Sequence, residues 1–262
     1  MKMRKIVLPV LILLLVLYVS CEESKKDDHI PVKVIAFCDM TSSLDSLSIY
    51  DESNKVVKFI NALPWGSELT VYPINDNTFS NNFFHYEIPQ CNTNIERKIK
   101  ELEDQRSKFA DSLGRYIVEN HDRTIEVSVD EFRSCIVSSL ETAYQLLKTL
   151  NNRGNIRLVF FSDMIEQCPI SSYGKMYMCS NNVEPKKEKL IKQIEDNYTP
   201  NFNLKNLIDN RISIVISTNK RRQENCLQEY ERKALWQKIF EKIGYSKEDF
   251  ESFHYNQELP NW

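Results

Sequence analysis

Val32-Lys33-Val34-Ile35-Ala36-Phe37 is a run of mostly β-branched and aromatic residues, and Cys38-Asp39-Met40-Thr41-Ser42-Ser43 follows it directly. The apolar run predicts a buried strand, and the small oxygen-bearing residues predict a loop at its carboxyl end. In an open α/β sheet, ligands bind at that edge. Asp39, Thr41 and Ser43 alternate along an extended backbone, so their side chains can point to the same side. One carboxylate and two hydroxyls suit Mg²⁺, Mn²⁺ or Ca²⁺ better than zinc.

The rest of the chain alternates between strand-like and helix-like patterns. This order predicts an α/β fold with a doubly wound, mostly parallel sheet flanked by helices. The predicted elements after the first strand are a helix over Asp51–Leu63, a strand over Glu68–Ile74, a helix over Asn94–Asn120, a helix that Asp130–Ile136 leads into and that runs to about Leu150, a strand over Asn155–Asp163, a helix over Pro185–Asn197, a strand over Arg211–Ser217 and a helix over Cys226–Ile243.

Three further segments lie between these elements. Asn75–Thr93, rich in Asn and aromatic residues, is predicted to be a long loop with a short strand at Phe83–Ile88. Its aromatic side chains either pack as a lid or contact a partner, and residues 75–120 together are an insertion. Thr124–Val129 alternates and predicts a short strand, and Met164–Val183 predicts a polar loop that shapes ligand access. The tail that ends at Trp262 gives no prediction.

The sequence Asp39-Met40-Thr41-Ser42-Ser43 resembles the D-x-[S/T]-x-S signature of von Willebrand factor A (VWA) domains. In that family the signature belongs to a metal-ion-dependent adhesion site (MIDAS), which holds a divalent cation. Ser162-Asp163, at the end of the strand over Asn155–Asp163, resembles the Thr-Asp or Ser-Asp that closes a strand in the same family. The resemblance covers the whole predicted domain and implies a VWA-like variant of the doubly wound fold.

The resemblance also implies a set of metal ligands. These are Asp39, Thr41, Ser43, Ser134 and Asp163, with Asp163 facing Asp39 across neighbouring strand ends and often acting through water. The family more usually has Thr at the place of Ser134, so Ser138 is an alternative, and Ser134 could equally be an ordinary helix N-cap. The family often has Gly after the aspartate, whereas Met164 stands here and changes the rim of the site. The expected ion is Mg²⁺, with Mn²⁺ or Ca²⁺ as alternatives.

The N-terminus has the pattern of an export signal. A basic start, Met1-Lys2-Met3-Arg4-Lys5, precedes an apolar stretch too short for a typical membrane span, and Ser20-Cys21 ends it. This resembles a bacterial lipoprotein signal in which Cys21 is lipidated, although an uncleaved anchor or a conventional cleavage site would also fit. Residues 1–21 are therefore assigned to the signal, 22–30 to a polar tether, and 31–262 to one domain. The acidic tether resembles surface-export signals, which favours the outer membrane, facing the periplasm or the cell surface.

Six cysteines remain beyond Cys21, and an extracytoplasmic location would allow them to form disulfides. Cys168 and Cys179 flank one loop and are the first expectation for a pair. Cys38 and Cys135 adjoin the two motifs that are expected to meet, so they either pair or are small buried residues. The others are Cys91 and Cys226.

Composition excludes several classes of function. The 262 residues have a net charge of −3, which gives no basic footprint for nucleic acid. Five glycines and the absence of G-x-G-x-x-G or G-x-x-x-x-G-K-[S/T] argue against dinucleotide and P-loop sites. Haloacid-dehalogenase phosphatases need a second Asp as general acid/base two positions after the first, but Thr41 stands there. We therefore do not expect an enzyme.

The sequence thus favours a lipid-anchored, extracytoplasmic binding module. Its partner would be a protein whose carboxylate completes the coordination of the metal, as the resemblance implies, in adhesion or another protein–protein interaction. The alternative is a VWA-like scaffold that has lost the metal and acts in envelope assembly through its surfaces. A metal-dependent hydrolase is the weakest of the three.

Overall fold

A six-stranded sheet with helices on both faces is the centre of the computed structural model. The structure describes residues 30–41, 46–74, 84–126, 134–149, 156–166, 168–170, 174–175, 178, 187–204, 212–216, 227–246 and 254–256. In chain order the elements are β1 (Lys33–Asp39), α1 (Ser46–Ala62), β2 (Glu68–Ile74), β3 (Phe84–Glu87), α2 (Glu96–Glu126), α3 (Ile136–Thr149), β4 (Ile156–Ser162), β5 (Pro169–Ile170), β6 (Gly174–Lys175), α4 (Lys187–Asn197), β7 (Ile212–Ile216), α5 (Glu229–Lys242) and β8 (His254–Asn256).

The strand order is β3-β2-β1-β4-β7-β8, and β5 pairs with β6 in a separate two-stranded ribbon. Neighbours in the large sheet are parallel except β3, which is antiparallel to β2 at one edge. The chain moves outward from β1 to β2 and β3, and then crosses back to place β4 on the other side of β1. This reversal makes the carboxyl ends of β1 and β4 the topological switch point, where open α/β sheets bind ligands.

Alternation along β1 divides the core into two layers. Ile35 and Phe37 pack on the face covered by α3, α4 and α5, whereas Val34, Ala36 and Cys38 pack on the face covered by α1 and α2. Successive residues of a strand point to opposite faces, so a run that is apolar throughout is buried on both sides. The predicted doubly wound, mostly parallel α/β fold is confirmed.

One local prediction is wrong, one is confirmed, and the tail adds a strand. α2 continues to Glu126, so the strand predicted over Thr124–Val129 is wrong for its first three residues, and 127–129 lie outside the described residues. The helical pairing of α2 with α1 outweighs the short alternation in sequence. β3 confirms the short strand predicted in the long loop, and the tail contributes β8 beside β7.

Some expectations concern parts of the chain that the structure does not describe. The signal segment with Cys21, most of the tether, Ser43, Cys179 and Cys226 all lie outside the described residues. Within the described part, none of the helices combines the length and apolar character needed to cross a membrane.

Replacing Gly114 with Ala should destabilise the protein, although Ala favours helix by about 1 kcal/mol. A Cβ at Gly114 would lie 2.8 Å from Val57 Cγ2 and 2.9 Å from Ser53 Oγ, and the Ser53 hydroxyl donates to the Gly114 carbonyl at 2.9 Å. Overpacking of this kind costs about 1–3 kcal/mol, so we expect a net loss of roughly 1 kcal/mol in urea unfolding. Ser112→Ala, at an exposed position of α2, is the control and should be neutral or stabilising. A stabilised Gly114→Ala protein would show that α1 and α2 are not in close contact here.

Candidate cation site at the carboxyl ends of β1 and β4

Asp39, the last residue of β1, is the centre of a buried group of oxygen atoms. Its Oδ1 accepts hydrogen bonds from the Thr41 backbone N–H at 3.1 Å, the Thr41 hydroxyl at 2.6 Å and the Ser134 hydroxyl at 3.2 Å. Its Oδ2 accepts from the Ser162 hydroxyl at 2.9 Å. All four residues are 0–1% exposed. The Asp39 carboxylate therefore lies inside the protein and not in solvent.

Thr41 Oγ1 and Ser134 Oγ lie 2.6 Å apart, and both contact Asp39 Oδ1. Each hydroxyl carries one proton, so the two hydroxyls supply two protons for three oxygen–oxygen contacts. When Asp39 is ionised, one pair of oxygens in this triangle is therefore close together without a proton between its members. A cation is attracted to such a concentration of lone pairs.

Asp163 follows β4 directly and lies near enough to Asp39, at the neighbouring strand end, for the two charges to interact. Its Oδ1 accepts from the Ile165 backbone N–H at 3.0 Å, while Oδ2 is buried without a hydrogen-bond partner among the described residues. An unpartnered buried carboxylate oxygen is costly in a protein interior unless a ligand, an ion or water satisfies it. Asp163 therefore offers the ligand atom that the described part of the chain leaves unsatisfied.

Met164, the residue after Asp163, has a left-handed backbone and is hydrogen-bonded to α5. Met164 has φ 59°, in the left-handed region that favours glycine, and its carbonyl accepts from Trp236 Nε1 at 2.8 Å. Its side chain is fully buried in the core, so the expectation that Met164 alters the rim of the site is wrong. The φ angle explains why a glycine would also suit this position.

Glu166 is a third buried carboxyl group, and sequence reasoning missed its place. It was expected in a polar loop that shapes ligand access, but its side chain is 0% exposed. Its Oε2 accepts from the Val137 backbone N–H at 2.8 Å, and its Oε1 accepts from the Cys168 backbone N–H at 2.9 Å. A charged residue in a turn gave no sequence signal for burial, because one of its two partners is a backbone group of a helix that is distant in sequence.

Burial and mutual repulsion disfavour the charged forms of these carboxyl groups. Burial, together with the charge of Asp39, raises the pKa of Asp163 to about 7, although Arg232 and the Ile165 N–H oppose the rise. Burial raises the pKa of Glu166 to about 8 against three backbone N–H donors. Burial also raises the pKa of Asp39, which its hydroxyl partners oppose. Among the described residues, Arg232 supplies a positive side-chain charge that acts on Asp163.

The disulfide pattern corrects the sequence expectation. Cys135 is bonded to Cys168, and Cys38 is a buried free thiol. The predicted pair of Cys168 with Cys179 is therefore wrong, because the start of α3 lies closer to Cys168 than nearness in sequence suggested. For Cys38, the alternative of a small buried residue is correct. Burial raises the pKa of the Cys38 thiol well above its ordinary value, with Glu52 and Asp39 adding to the rise.

Four of the five predicted metal ligands are described, and the structure brings them to one edge of the sheet. Asp39, Thr41 and Ser134 are in direct contact, and Asp163 is close enough for the charge of Asp39 to raise its pKa. Ser134, and not Ser138, makes the contact to Asp39. Ser162 was missed as a partner of Asp39, although its place in the Ser-Asp strand end was the available signal. Cation binding itself stays a prediction.

The chemistry and spacing of these atoms fit a small divalent cation. Mg²⁺ takes oxygen ligands at about 2.0–2.1 Å in octahedral geometry, so adjacent ligands lie about 3 Å apart. The contacts among Asp39 Oδ1, Thr41 Oγ1 and Ser134 Oγ, at 2.6–3.2 Å, fall within a few tenths of an ångström of that spacing. The unpartnered Asp163 Oδ2 supplies a further hard donor.

At the level of sequence, the chain matches no family profile and no curated protein. Its fold is similar in part to solved structures of three other proteins. The SpaC pilus adhesin of Lactobacillus rhamnosus GG gives a TM-score of 0.38 at 8% identity over 87% of this chain and 30% of the adhesin. The human COPII-coat protein Sec24c gives 0.37 at 10% identity over 73% and 27% of the two chains. The manganese-loaded TRAP protein of Plasmodium vivax gives 0.31 at 9% identity over 74% and 61%.

The chain therefore spans less than two thirds of each of these proteins. Similarities this partial support no inference about activity, ligand or partner. The residues at the switch point are the part of the molecule that bears on function.

Proposed function

We propose that this chain is a binding module that holds one divalent cation, Mg²⁺ in the first place, at the carboxyl ends of β1 and β4. The observation that carries the proposal is the buried oxygen cluster, in which Asp163 Oδ2 has no hydrogen-bond partner among the described residues. Asp39, Thr41, Ser134 and Asp163 would hold the ion, with Ser43 as a further candidate outside the described part of the chain. The bound ion would supply positive charge to neutralise the carboxylates and an open position for one more oxygen.

The ligand for that open position would be a carboxylate of a partner protein. The proposed module is lipid-anchored through Cys21 and outside the cytoplasm, and it serves protein–protein interaction or adhesion rather than catalysis. Thr41 stands where a phosphatase of the haloacid-dehalogenase type needs an aspartate, and a hydroxyl does not act as a general acid/base at neutral pH. Binding would then depend on the ion and be lost on chelation.

A metal-free scaffold is the second candidate, and one observation favours it. Both carboxylate oxygens of Asp39 already accept hydrogen bonds from groups of the chain itself, so this residue does not need an ion. A scaffold would use the same group only to join β1, β4 and the start of α3. The two candidates differ in whether the folded protein binds a cation.

Thermal unfolding with Mg²⁺, Mn²⁺, Ca²⁺ or EDTA separates them, because a ligand that binds only the folded state raises its stability. At a cation concentration 100 times Kd the gain is about 2.7 kcal/mol, which raises Tm by about 5–10 °C for a domain of this size. Ser134→Ala should remove most of this rise. Ser139→Ala removes another buried hydroxyl from the same segment, one that donates to the Cys135 carbonyl instead, and should keep it.

An unchanged Tm with every cation at millimolar concentration would reject the cation site in favour of the scaffold. An equal loss in both serine variants would show that Ser134 acts through folding alone. If the rise is present, acetate serves as a carboxylate probe on the Mn²⁺-loaded protein. Displacement of metal-bound water by acetate, seen as lower water-proton relaxation, is the result that an open coordination position requires.

A further inference from the structure

We propose that Glu166 and the Cys135–Cys168 disulfide form one clamp that positions Ser134 and Asp163 for the cation. This inference rests on the proposed function. It assigns positioning roles to three residues that do not touch the ion. The clamp joins two segments that are far apart in sequence, namely the start of α3 and the loop after β4.

Glu166 provides the noncovalent half of the clamp. Its two carboxyl oxygens accept one N–H from the first turn of α3, at Val137, and one from the loop, at Cys168. The first N–H groups of a helix have no intrahelical partner, and an acceptor there also interacts favourably with the helix dipole. One buried side chain therefore satisfies backbone groups of both segments and fixes their separation.

The disulfide provides the covalent half. Cys135 follows Ser134 directly, and Cys168 is two residues after Glu166 in the loop that begins at Asp163. The Cα atoms of the two cysteines are 5.1 Å apart, which limits how far the start of α3 can move from this loop. One ligand candidate therefore lies near each end of the disulfide. Ser134 is next to Cys135, and Asp163 begins the loop that contains Cys168.

Positioning matters because the contacts that define the site are short. The Ser134 hydroxyl lies 2.6 Å from Thr41 Oγ1 and 3.2 Å from Asp39 Oδ1. A binding constellation works only when its groups are held within about 0.5 Å of the productive geometry. Without the clamp, Ser134 would lose the constraint that keeps it beside Asp39, so cation affinity would fall more than overall stability does.

The test compares variants that open each half of the clamp. Cys135→Ala/Cys168→Ala removes the crosslink, and Glu166→Met removes both acceptor oxygens while keeping the length of the side chain. Alanines are better than chemical reduction, because two free thiols and Glu166 would lie within 4.8 Å of one another and could bind zinc themselves. Cys91→Ala and Glu141→Met are the matched controls, at a free cysteine and at an exposed glutamate of α3.

Two readouts are needed, namely Mn²⁺ affinity by calorimetry and hydrogen exchange of the segments 134–140 and 163–168. We expect both clamp variants to bind Mn²⁺ at least tenfold more weakly and to exchange faster in these two segments, with the controls unchanged. Glu166→Gln, which keeps one acceptor oxygen, should fall between wild type and Glu166→Met. Phe240→Leu, a core change in α5 away from the clamp, should lower stability without lowering affinity.

Clamp variants with affinity within twofold of wild type and unchanged exchange would overturn the proposal. If the wild-type protein binds no Mn²⁺ at all, the proposed function fails, and hydrogen exchange alone then decides about the clamp. Faster exchange confined to the two segments would still support it, and unchanged exchange would reject it. A clamp variant that lost as much stability as Phe240→Leu, and no more affinity than that variant, would reduce the clamp to an ordinary structural contact.

Discussion

Asp163→Asn will stabilise the cation-free protein at pH 8 and remove its response to Mg²⁺ and Mn²⁺. The reason is that Asp163 is fully buried beside Asp39, and its pKa is raised from 3.8 to about 7 by burial first and by that neighbouring charge second. The ionised side chain therefore destabilises the fold in the absence of a cation. Asn keeps Oδ1 as an acceptor for the Ile165 N–H and removes the charge.

The size of the effect follows from the pKa. A rise from 3.8 to about 7 corresponds to about 4 kcal/mol in favour of the neutral form. The buried amide of Asn recovers only part of this, because its N–H groups also need partners. We expect a gain of roughly 2–3 kcal/mol in urea unfolding at pH 8 and a much smaller gain at pH 5.

The sign of the pH dependence comes from comparing folded and unfolded states. The pKa values of Asp163 and Glu166 are higher in the folded protein, at about 7 and about 8, than the ordinary 3.8 and 4.5. The folded state then binds more protons, so the contribution is favourable below the unfolded values and is lost as pH rises through the folded ones. Cation-free wild type should therefore lose stability between about pH 5 and pH 8. Asp39, Arg232 and the backbone N–H groups face these carboxyls.

A saturating cation should flatten that pH dependence, because it replaces the protons at Asp163. Asp111→Asn, at an exposed position of α2, controls for the loss of one negative charge and should change neither stability nor cation response by more than about 0.5 kcal/mol. Asp163→Asn protein that is less stable at pH 8, yet still responds to Mn²⁺, would contradict both the repulsion and the ligand role.

The apolar runs gave the fold because their chemistry allows few alternatives. The strands that became β1 and β4 are apolar on both faces, and such segments are stable only in the middle of a sheet covered by helices. Their polar ends then had to meet at the switch point, which predicted the place of Asp39 and Thr41, whereas Ser134 and Asp163 were named as ligands because the sequence motifs resemble those of a known family. Local pattern was sufficient for the sheet and for the polar end of β1.

Contacts between segments that are far apart in sequence were harder to predict. Six cysteines allow fifteen connectivities, and the preference for Cys168 with Cys179 used nearness in sequence. The information that decides the pair is the contact between the start of α3 and the loop after β4, where the Val137 N–H donates to Glu166, because Cys135 and Cys168 lie two residues from these positions. Glu166 was missed for the same reason, since one of its hydrogen-bond partners, the Val137 N–H, belongs to a helix far away in sequence.

Trp236→Ala will cost about 3–5 kcal/mol, the range for removing a large aromatic side chain from a core. Trp236 is fully buried in α5, and its Nε1 donates to the Met164 carbonyl at 2.8 Å. Trp236 therefore packs in the core and also forms a hydrogen bond to Met164, which has φ 59° and directly follows Asp163. Left-handed backbone at a non-glycine residue costs about 1–3 kcal/mol and persists only where neighbours enforce it.

Trp236→Phe separates packing from the hydrogen bond. Phe keeps most of the ring but leaves the buried Met164 carbonyl without its donor, which costs about 1–3 kcal/mol. We expect urea unfolding to show that loss and calorimetry to show several-fold weaker Mn²⁺ binding, because the loop carrying Asp163 is no longer held from α5. This variant also gives an interpretable result if Trp236→Ala fails to fold.

Phe240→Leu distinguishes this effect from general weakening of the core. Phe240 is fully buried on the same helix, with its ring 6.3 Å from that of Trp236, so its replacement should lower stability while leaving Mn²⁺ affinity near wild type. If Trp236→Phe bound Mn²⁺ as tightly as Phe240→Leu at equal stability, the indole hydrogen bond would have no part in positioning Asp163. If only Trp236→Phe lost affinity, α5 would join Glu166 and the disulfide as a support of the same strand end, acting from inside the core.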